Sequence, residues 1–295
     1  MADAPEIRFD QVKNLGIFAD TRQRAARVGL VAAVAELFEA ANIDIDIIGA
    51  DSALQTVGLP TIAVGDHSKG LESLLIVGAC AGLNRPDMNI TAKPFAFTGQ
   101  MVNAIAPEED QLIGLVPSAM ARDKKGGDMG VRLHRAVYRK HLPTLAETAA
   151  FNRRSIGKIA TTVEAGRLVT IFPTGGVYDA ATTPWRKGVG QAVTALSDEV
   201  FDTTLVAPFE FEDFKPRRIM TAIAAARLGI KPRRQELVVK FGPQETLGSI
   251  FDGNRDLSAE GITEVLRQRF EDEFAPVRQS NQVAAQAAVR AALEA

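Results

Sequence analysis

The sequence predicts an α/β domain, a sheet covered by helices, and three observations carry that expectation. Apolar runs of strand length recur along the chain, and stretches with helical spacing lie between them. Of 295 residues, 46% are hydrophobic and 24% charged, which gives enough apolar surface to bury a large core.

Taken in order, 21–41 reads as one amphipathic helix, with Val28, Val31, Leu37 and Phe38 on a stripe and Arg22, Arg24 and Arg27 near its start. Residues 43–48 alternate with period two. The runs 61–64, 88–92, 112–116, 168–172, 205–209 and 236–241 each have the length and composition of a strand. Residues 71–83, 145–165, 187–196 and 258–274 have helical spacing. The polar, glycine-bearing stretch 106–130 reads as a loop insertion. The alanine-rich 283–295 is helical by propensity. Two parts are expected: an N-terminal helical segment over 1–55 and the main domain over 56–295.

Lys and Arg total 34 against 36 acidic residues, a net charge of −2, so bulk electrostatics give no support for nucleic-acid binding. The single cysteine, Cys80, cannot form an internal disulfide or a cysteine-based zinc site, and its apolar neighbours predict a buried hydrophobe. The longest apolar run, 28–35, is far short of the roughly 20 residues that span a bilayer. The opening residues are polar and acidic, unlike a signal peptide. The expectation is a cytoplasmic protein, with 21–41 permitting loose contact at a membrane surface.

Three segments carry candidate chemistry. His67 follows the run 61–64, the position where α/β folds present active groups. Such a histidine accepts a proton near neutral pH when a carboxylate fixes its tautomer. Glu72 is that carboxylate, but five residues of regular helix would turn the two side chains about 140° apart. They meet only if the chain turns near Gly70 and the helix starts later. The alternative is a surface or helix-capping histidine. The second segment, Phe172-Pro173-Thr174-Gly175-Gly176, breaks a buried strand into a turn whose backbone N–H groups suit an oxyanion or phosphate, although most Gly-Gly turns are only turns. The third is basic: Tyr138-Arg139-Lys140-His141, then Arg153-Arg154, either a solvated helix face or the lining of an anion site. His134 reads as structural or exposed, and Trp185 as packing the turn.

In this order, over about residues 55–275, the segments resemble the glycerolipid acyltransferases that act on glycerol 3-phosphate or lysophosphatidate. Asp66-His67-Ser68-Lys69-Gly70-Leu71-Glu72 looks like their Asn-His-x4-Asp signature with Glu as the final acid. The stretch 85–95, ending in Ala92-Lys93-Pro94-Phe95, is similar to their strand ending in Ala-Lys. Phe172-Pro173-Thr174-Gly175-Gly176 looks like a hybrid of Phe-Pro-Glu-Gly and the Pro-Ser-Gly-Gly of the soluble plastid-type enzymes. Trp185-Arg186-Lys187-Gly188 resembles the Phe-Lys-Lys-Gly that follows. Val206-Ala207-Pro208 and Val239-Lys240-Phe241-Gly242 are similar to two later family strands, and Arg139-Lys140-His141 to the plastid-type Lys-Lys-His.

The resemblance implies a mixed central sheet flanked by helices and direct O-acyl transfer in phospholipid synthesis. The donor would be acyl-CoA or acyl-carrier protein, the acceptor glycerol 3-phosphate or a lysophospholipid, with no resident cofactor. It makes His67 the general base and Glu72 its orienting acid. Thr174, Gly175 and Gly176 would stabilise charge at the reacting centre, and Lys140 and His141, with Lys93 or Lys187, would hold a phosphate. Two departures stand out: Val177-Tyr178-Asp179 replaces the Arg-Asp-Arg after the glycine pair, and Thr174 replaces the glutamate of Phe-Pro-Glu-Gly. A non-catalytic acyl-binding protein on the same fold is the alternative. A nucleotide-binding enzyme is disfavoured, because no G-x-G-x-x-G follows the first strand and no phosphate-binding G-x-x-x-x-G-K-[ST] loop is present.

Overall fold

A computed structural model describes residues 18–92, 111–116, 118–126, 132, 135–136, 142–175, 180 and 183–275. Helices α1 (Ala19–Val28) and α2 (Leu30–Ala40) lead into strand β1 (Ile43–Ile48). Strand β2 (Thr61–Gly65), helix α3 (Glu72–Gly82), strand β3 (Asn89–Ala92) and strand β4 (Leu112–Gly114) follow. After a 3-10 turn (Ser118–Met120) come α4 (Leu145–Glu164), β5 (Leu168–Ile171), α5 (Gly188–Thr194) and α6 (Asp198–Thr203). The chain continues with β6 (Leu205–Phe211), α7 (Pro216–Arg227), β7 (Gln235–Phe241), β8 (Glu245–Thr246) and α8 (Leu247–Ile250). The last described element is a helix over 259–275, α9.

The eight strands among the described residues form one mixed sheet in the order β1-β7-β6-β2-β5-β3-β4, with β8 on β6. Neighbours from β6 through β2, β5 and β3 to β4 are parallel, whereas β7 runs antiparallel to β6, and β1 is parallel to β7. Strand alternation divides the core between two faces. Ala63, Ala207, Phe209 and Val239 pack toward α2, α3 and α7, while Ile62, Val64, Val206 and Ile171 pack toward α4, α5 and α9. This is the α/β architecture expected, with helices on both faces of a mixed sheet.

Each run read as a strand contains one. The stretch 21–41 differs: it is two helices, broken at Gly29, whose φ is +89°. The apolar side of α2 (Leu30, Val31, Val34, Leu37, Phe38) is buried in the core, so it is not free for a membrane. The segment 1–55 is not only helical, since β1 is the edge strand of the same sheet. Stretch 106–130 holds β4 and the 3-10 turn besides its loops. Helix α7 forms where the sequence predicts neither a strand nor a helix. The alanine-rich 283–295 lies outside the described residues.

One buried cation ties together the edge of the sheet where β2 and β5 begin. Arg85 has no exposed surface, and its guanidinium makes a two-pronged pair with Asp87, at 2.9 and 2.8 Å. Its remaining donors reach the carbonyls of Leu54 and Leu59 and the hydroxyl of Thr61, and Asp87 also accepts from the Leu168 N–H at 3.3 Å. Four separate stretches of chain therefore converge on one planar fork.

Candidate active site

His67 stands just past the end of β2, at the opposite edge of the sheet from Arg85. The turn that the pairing with Glu72 required is present. Gly70 has φ +81°, a left-handed conformation that costs glycine little, and α3 begins only at Glu72. The chain thus reverses between the two residues, and His67 Nδ1 lies 3.1 Å from Glu72 Oε2. Both side chains are buried, at 10% and 3% exposure. Neither atom has another partner among the described residues, and the ring N–H is not well aligned on the carboxylate. Apo sites often hold such contacts loosely and tighten them around substrate. The other carboxylate oxygen, Oε1, accepts the Lys69 backbone N–H at 2.7 Å, which fixes the glutamate against the turn.

A carboxylate facing Nδ1 places the neutral ring's proton there and leaves the Nε2 lone pair to act as a base. The ring is seated on Phe172, with centroids 4.6 Å apart, and Phe172 meets Phe209 edge-on at 6.2 Å. The first residue after β5 therefore supports the histidine after β2, bringing the first two sequence motifs into contact.

Asp66 joins the same two regions from the other side. Its buried carboxylate accepts the Ser68 N–H at 3.3 Å and the Ala180 N–H at 2.7 Å. Ala180 is in turn held by Trp185, whose Nε1 donates to its carbonyl at 2.9 Å. Trp185 packs as expected, edge-on to Phe270 at 5.6 Å. The sequence marks Asp66 only as the neighbour of His67 in the motif; its bond to Ala180, 114 residues away, has no local signal.

The glycine turn is more committed than expected. Gly175 has φ +66°, and its N–H donates to the Phe172 carbonyl at 3.1 Å, so it closes the turn and is not free for an oxyanion. A side chain there would also press on Arg186, whose Cδ would lie 2.8 Å from the added carbon. Thr174 is buried, and its carbonyl accepts from Arg186 Nε at 3.1 Å. Arg186 makes no ion pair among the described residues, which leaves its terminal nitrogens available beside the turn. It was named in the sequence only as part of a motif. Lys187 is a surface residue paired with Glu260 at 3.3 Å, an arrangement that does not turn it toward the histidine's neighbours described above. Lys93, Lys140, His141 and Gly176 lie outside the described residues, as do His134, Val177 and Tyr178.

Beside this group, on the α5 and α9 face of the sheet, is a cavity of about 260 Å³. Val64, Val206, Pro208, Trp185, Leu266 and Phe270 supply apolar walls, and Glu245, Arg269, Asp272 and Glu273 stand among its lining. Arg269 is paired with Glu245. Val64 faces the cavity from β2, whereas the His67 ring packs on Phe172, which with Phe209 belongs to the other face of the sheet, so the cavity and the histidine share a strand but not a face.

Cys80 is fully buried, and that burial pushes its thiol up to about 12, with Arg85 lowering it only in part. A thiol so rarely ionised is a poor nucleophile. We expect Cys80 of the folded chain to stay unmodified by iodoacetamide at about pH 8 and to react once urea unfolds it. Native-state alkylation at the rate of a free thiol would contradict its burial. Among the described residues, no group of three metal-ligating side chains comes together, and no helix is long and apolar enough to cross a membrane. No protein-family model and no curated protein matches this chain.

Proposed function

We propose that the chain is an O-acyltransferase that moves a fatty acyl group from an acyl thioester, acyl-CoA or acyl-carrier protein, to a hydroxyl of glycerol 3-phosphate or a lysophospholipid. The observation that carries this reading is the buried His67–Glu72 pair at 3.1 Å, set at the end of β2 in a His-x4-acid segment. The resemblance to the glycerolipid acyltransferases supports it.

In this reading His67 Nε2 takes the proton of the acceptor hydroxyl as its oxygen attacks the thioester carbonyl. Glu72 holds the ring and balances the imidazolium that forms. Collapse of the tetrahedral intermediate breaks the carbon–sulfur bond, and Nε2–H returns its proton to the departing thiolate. No covalent enzyme intermediate is needed, in keeping with the buried Cys80. The apolar cavity beside Val64 suits an acyl chain that reaches the histidine around the end of β2, and its acidic residues disfavour an anionic head group. With the arginine clamp of the plastid-type enzymes missing, Arg186 is the best-placed described cation for the acceptor phosphate, beside whatever Lys93, Lys140 and His141 contribute.

The test is release of free thiol from an acyl thioester, run against glycerol 3-phosphate, lysophosphatidate and phosphate-free alcohols. Release that depends on a phosphorylated acceptor supports the reading, and none with any of them defeats it. For Arg186→Ala, loss of a charge-assisted hydrogen bond worth about 1.5–3 kcal/mol should raise the acceptor KM roughly ten- to a hundredfold with kcat little changed. An unchanged KM would move the phosphate site away from this turn.

A further inference from the structure

Residues 215–234 carry seven cations (Lys215, Arg217, Arg218, Arg227, Lys231, Arg233, Arg234) and no acidic residue, in a chain whose net charge is −2. Helix α7 forms the first part of this stretch. Its apolar side (Ile219, Ala222, Ile223) is buried, which turns Arg217 and Arg218 to solvent. Beyond the helix, Leu228 and Ile230 are 76% and 58% exposed, more than any other large apolar side chain among the described residues.

The sheet decides where this strip lies. Helix α7 starts just after β6 ends, and β7, which follows the strip, runs antiparallel to β6 with Val239 opposite Phe211. Both ends of the strip therefore stand at the edge of the sheet where β2 and β6 finish, the edge that carries His67. A direct tie confirms the proximity: Lys69, two residues after His67, reaches Asp213 Oδ1 at 2.7 Å and lies over the Phe214 ring at 4.7 Å.

We propose that this strip is a docking surface for an anionic lipid bilayer, which it brings to the edge of the sheet that bears His67. Two of its cations are spoken for, Arg227 by Asp20 and Arg234 by Asp44 and Glu236. Lys215, Arg217, Arg218, Lys231 and Arg233 form no ion pair among the described residues. Five cations without an ion pair among the described residues, flanking two exposed aliphatic side chains, match a surface of phosphate head groups over hydrocarbon. A nucleic acid offers nothing for Leu228 and Ile230 to enter. An acidic protein that takes a basic helix into a groove would need its apolar side, but that side of α7 is already buried in the core, and the cations and exposed aliphatics run together over a helix of twelve residues, about 18 Å, and the segment beyond it.

Co-sedimentation of the full chain with vesicles tests this directly and needs no turnover, so its outcome is independent of the acyl-transfer reading. Binding is expected to vesicles of phosphatidylcholine containing about one third phosphatidylglycerol, little to pure phosphatidylcholine, and release in roughly 0.5 M salt. Each lost cation should weaken binding by up to about fivefold, so Arg217→Gln with Arg218→Gln together lose up to about 25-fold. Leu228→Ser with Ile230→Ser, an exposed pair whose replacement should leave the melting temperature unchanged, should weaken binding at least about fivefold with every charge in place. Equal binding to neutral and anionic vesicles, or no binding to either, overturns the proposal. Full binding by the Leu228/Ile230 variant, or capture by heparin or an acidic protein with none by vesicles, overturns it too and marks the strip as a general polyanion or protein site.

Discussion

Replacing His67 by alanine should slow acyl transfer by about 10²–10⁴-fold while the chain still folds, the usual range for loss of a positioned general base. The side chain removed packs on Phe172 and faces Glu72, and the buried carboxylate left behind keeps the Lys69 N–H, so the expected loss of rate is far larger than any loss of stability. Circular dichroism and the melting curve provide the control. A Glu72→Gln variant sharpens the expectation. The amide has the same shape, but it can turn an NH2 toward Nδ1 and move the ring's proton to Nε2, the atom that must accept. Its kcat should therefore fall by at least about a hundredfold with KM largely kept. A His67→Ala chain that retains more than about a third of the wild-type rate would show that the base lies elsewhere.

The largest expected effect on stability is at the other edge of the sheet. Arg85→Ala removes the one cation paired with Asp87 among the described residues, leaving that largely buried carboxylate only the Leu168 N–H, and frees the carbonyls of Leu54 and Leu59. Breaking such a pair from one side costs about 3–5 kcal/mol, a large share of the roughly 5–15 kcal/mol that holds a domain folded. Urea denaturation should show the midpoint fall sharply or no folded baseline at all. Arg85→Lys should rescue little, because one ammonium cannot reach Asp87, Thr61 and two carbonyls in a plane. The double replacement Arg85→Met with Asp87→Leu should recover much of the loss, since no charge is left unpaired. A single mutant as stable as wild type would mean that the pair is spectators' chemistry in an already rigid edge.

The fold was legible where side-chain periodicity speaks for itself. The alternation of Ile43–Ile48 and the continuous apolar run ending at Val64 name an edge strand and a central strand of the sheet. Glycine marked the decisive turn at Gly70. At Gly29 the hydrophobic pattern continues across the glycine, so two helices read as one. Helix α7 escaped notice because Ala224, Ala225 and Ala226 dilute its apolar stripe and its arginines suggest a solvated loop. At the site, the local pair of His67 and Glu72 was readable from five residues of spacing. Contacts between distant segments were not. Asp66 to Ala180 depends on how β2 and β5 lie side by side, and Arg186 to Thr174 on how the turn after β5 folds back on itself; neither is encoded in a local pattern. The Gly175 N–H reads as free in the sequence for a related reason: the turn it helps to form uses it up.

The measurement closest to the central claim is mass spectrometry of the product formed from an isotope-labelled acyl thioester and its acceptor, with wild-type and His67→Ala chains side by side. Direct transfer through His67 requires a labelled O-acyl ester from the wild type, no acyl group left on the protein, and almost none of the ester from the variant. Ester formed equally by both chains, or label carried covalently by the protein, would contradict it.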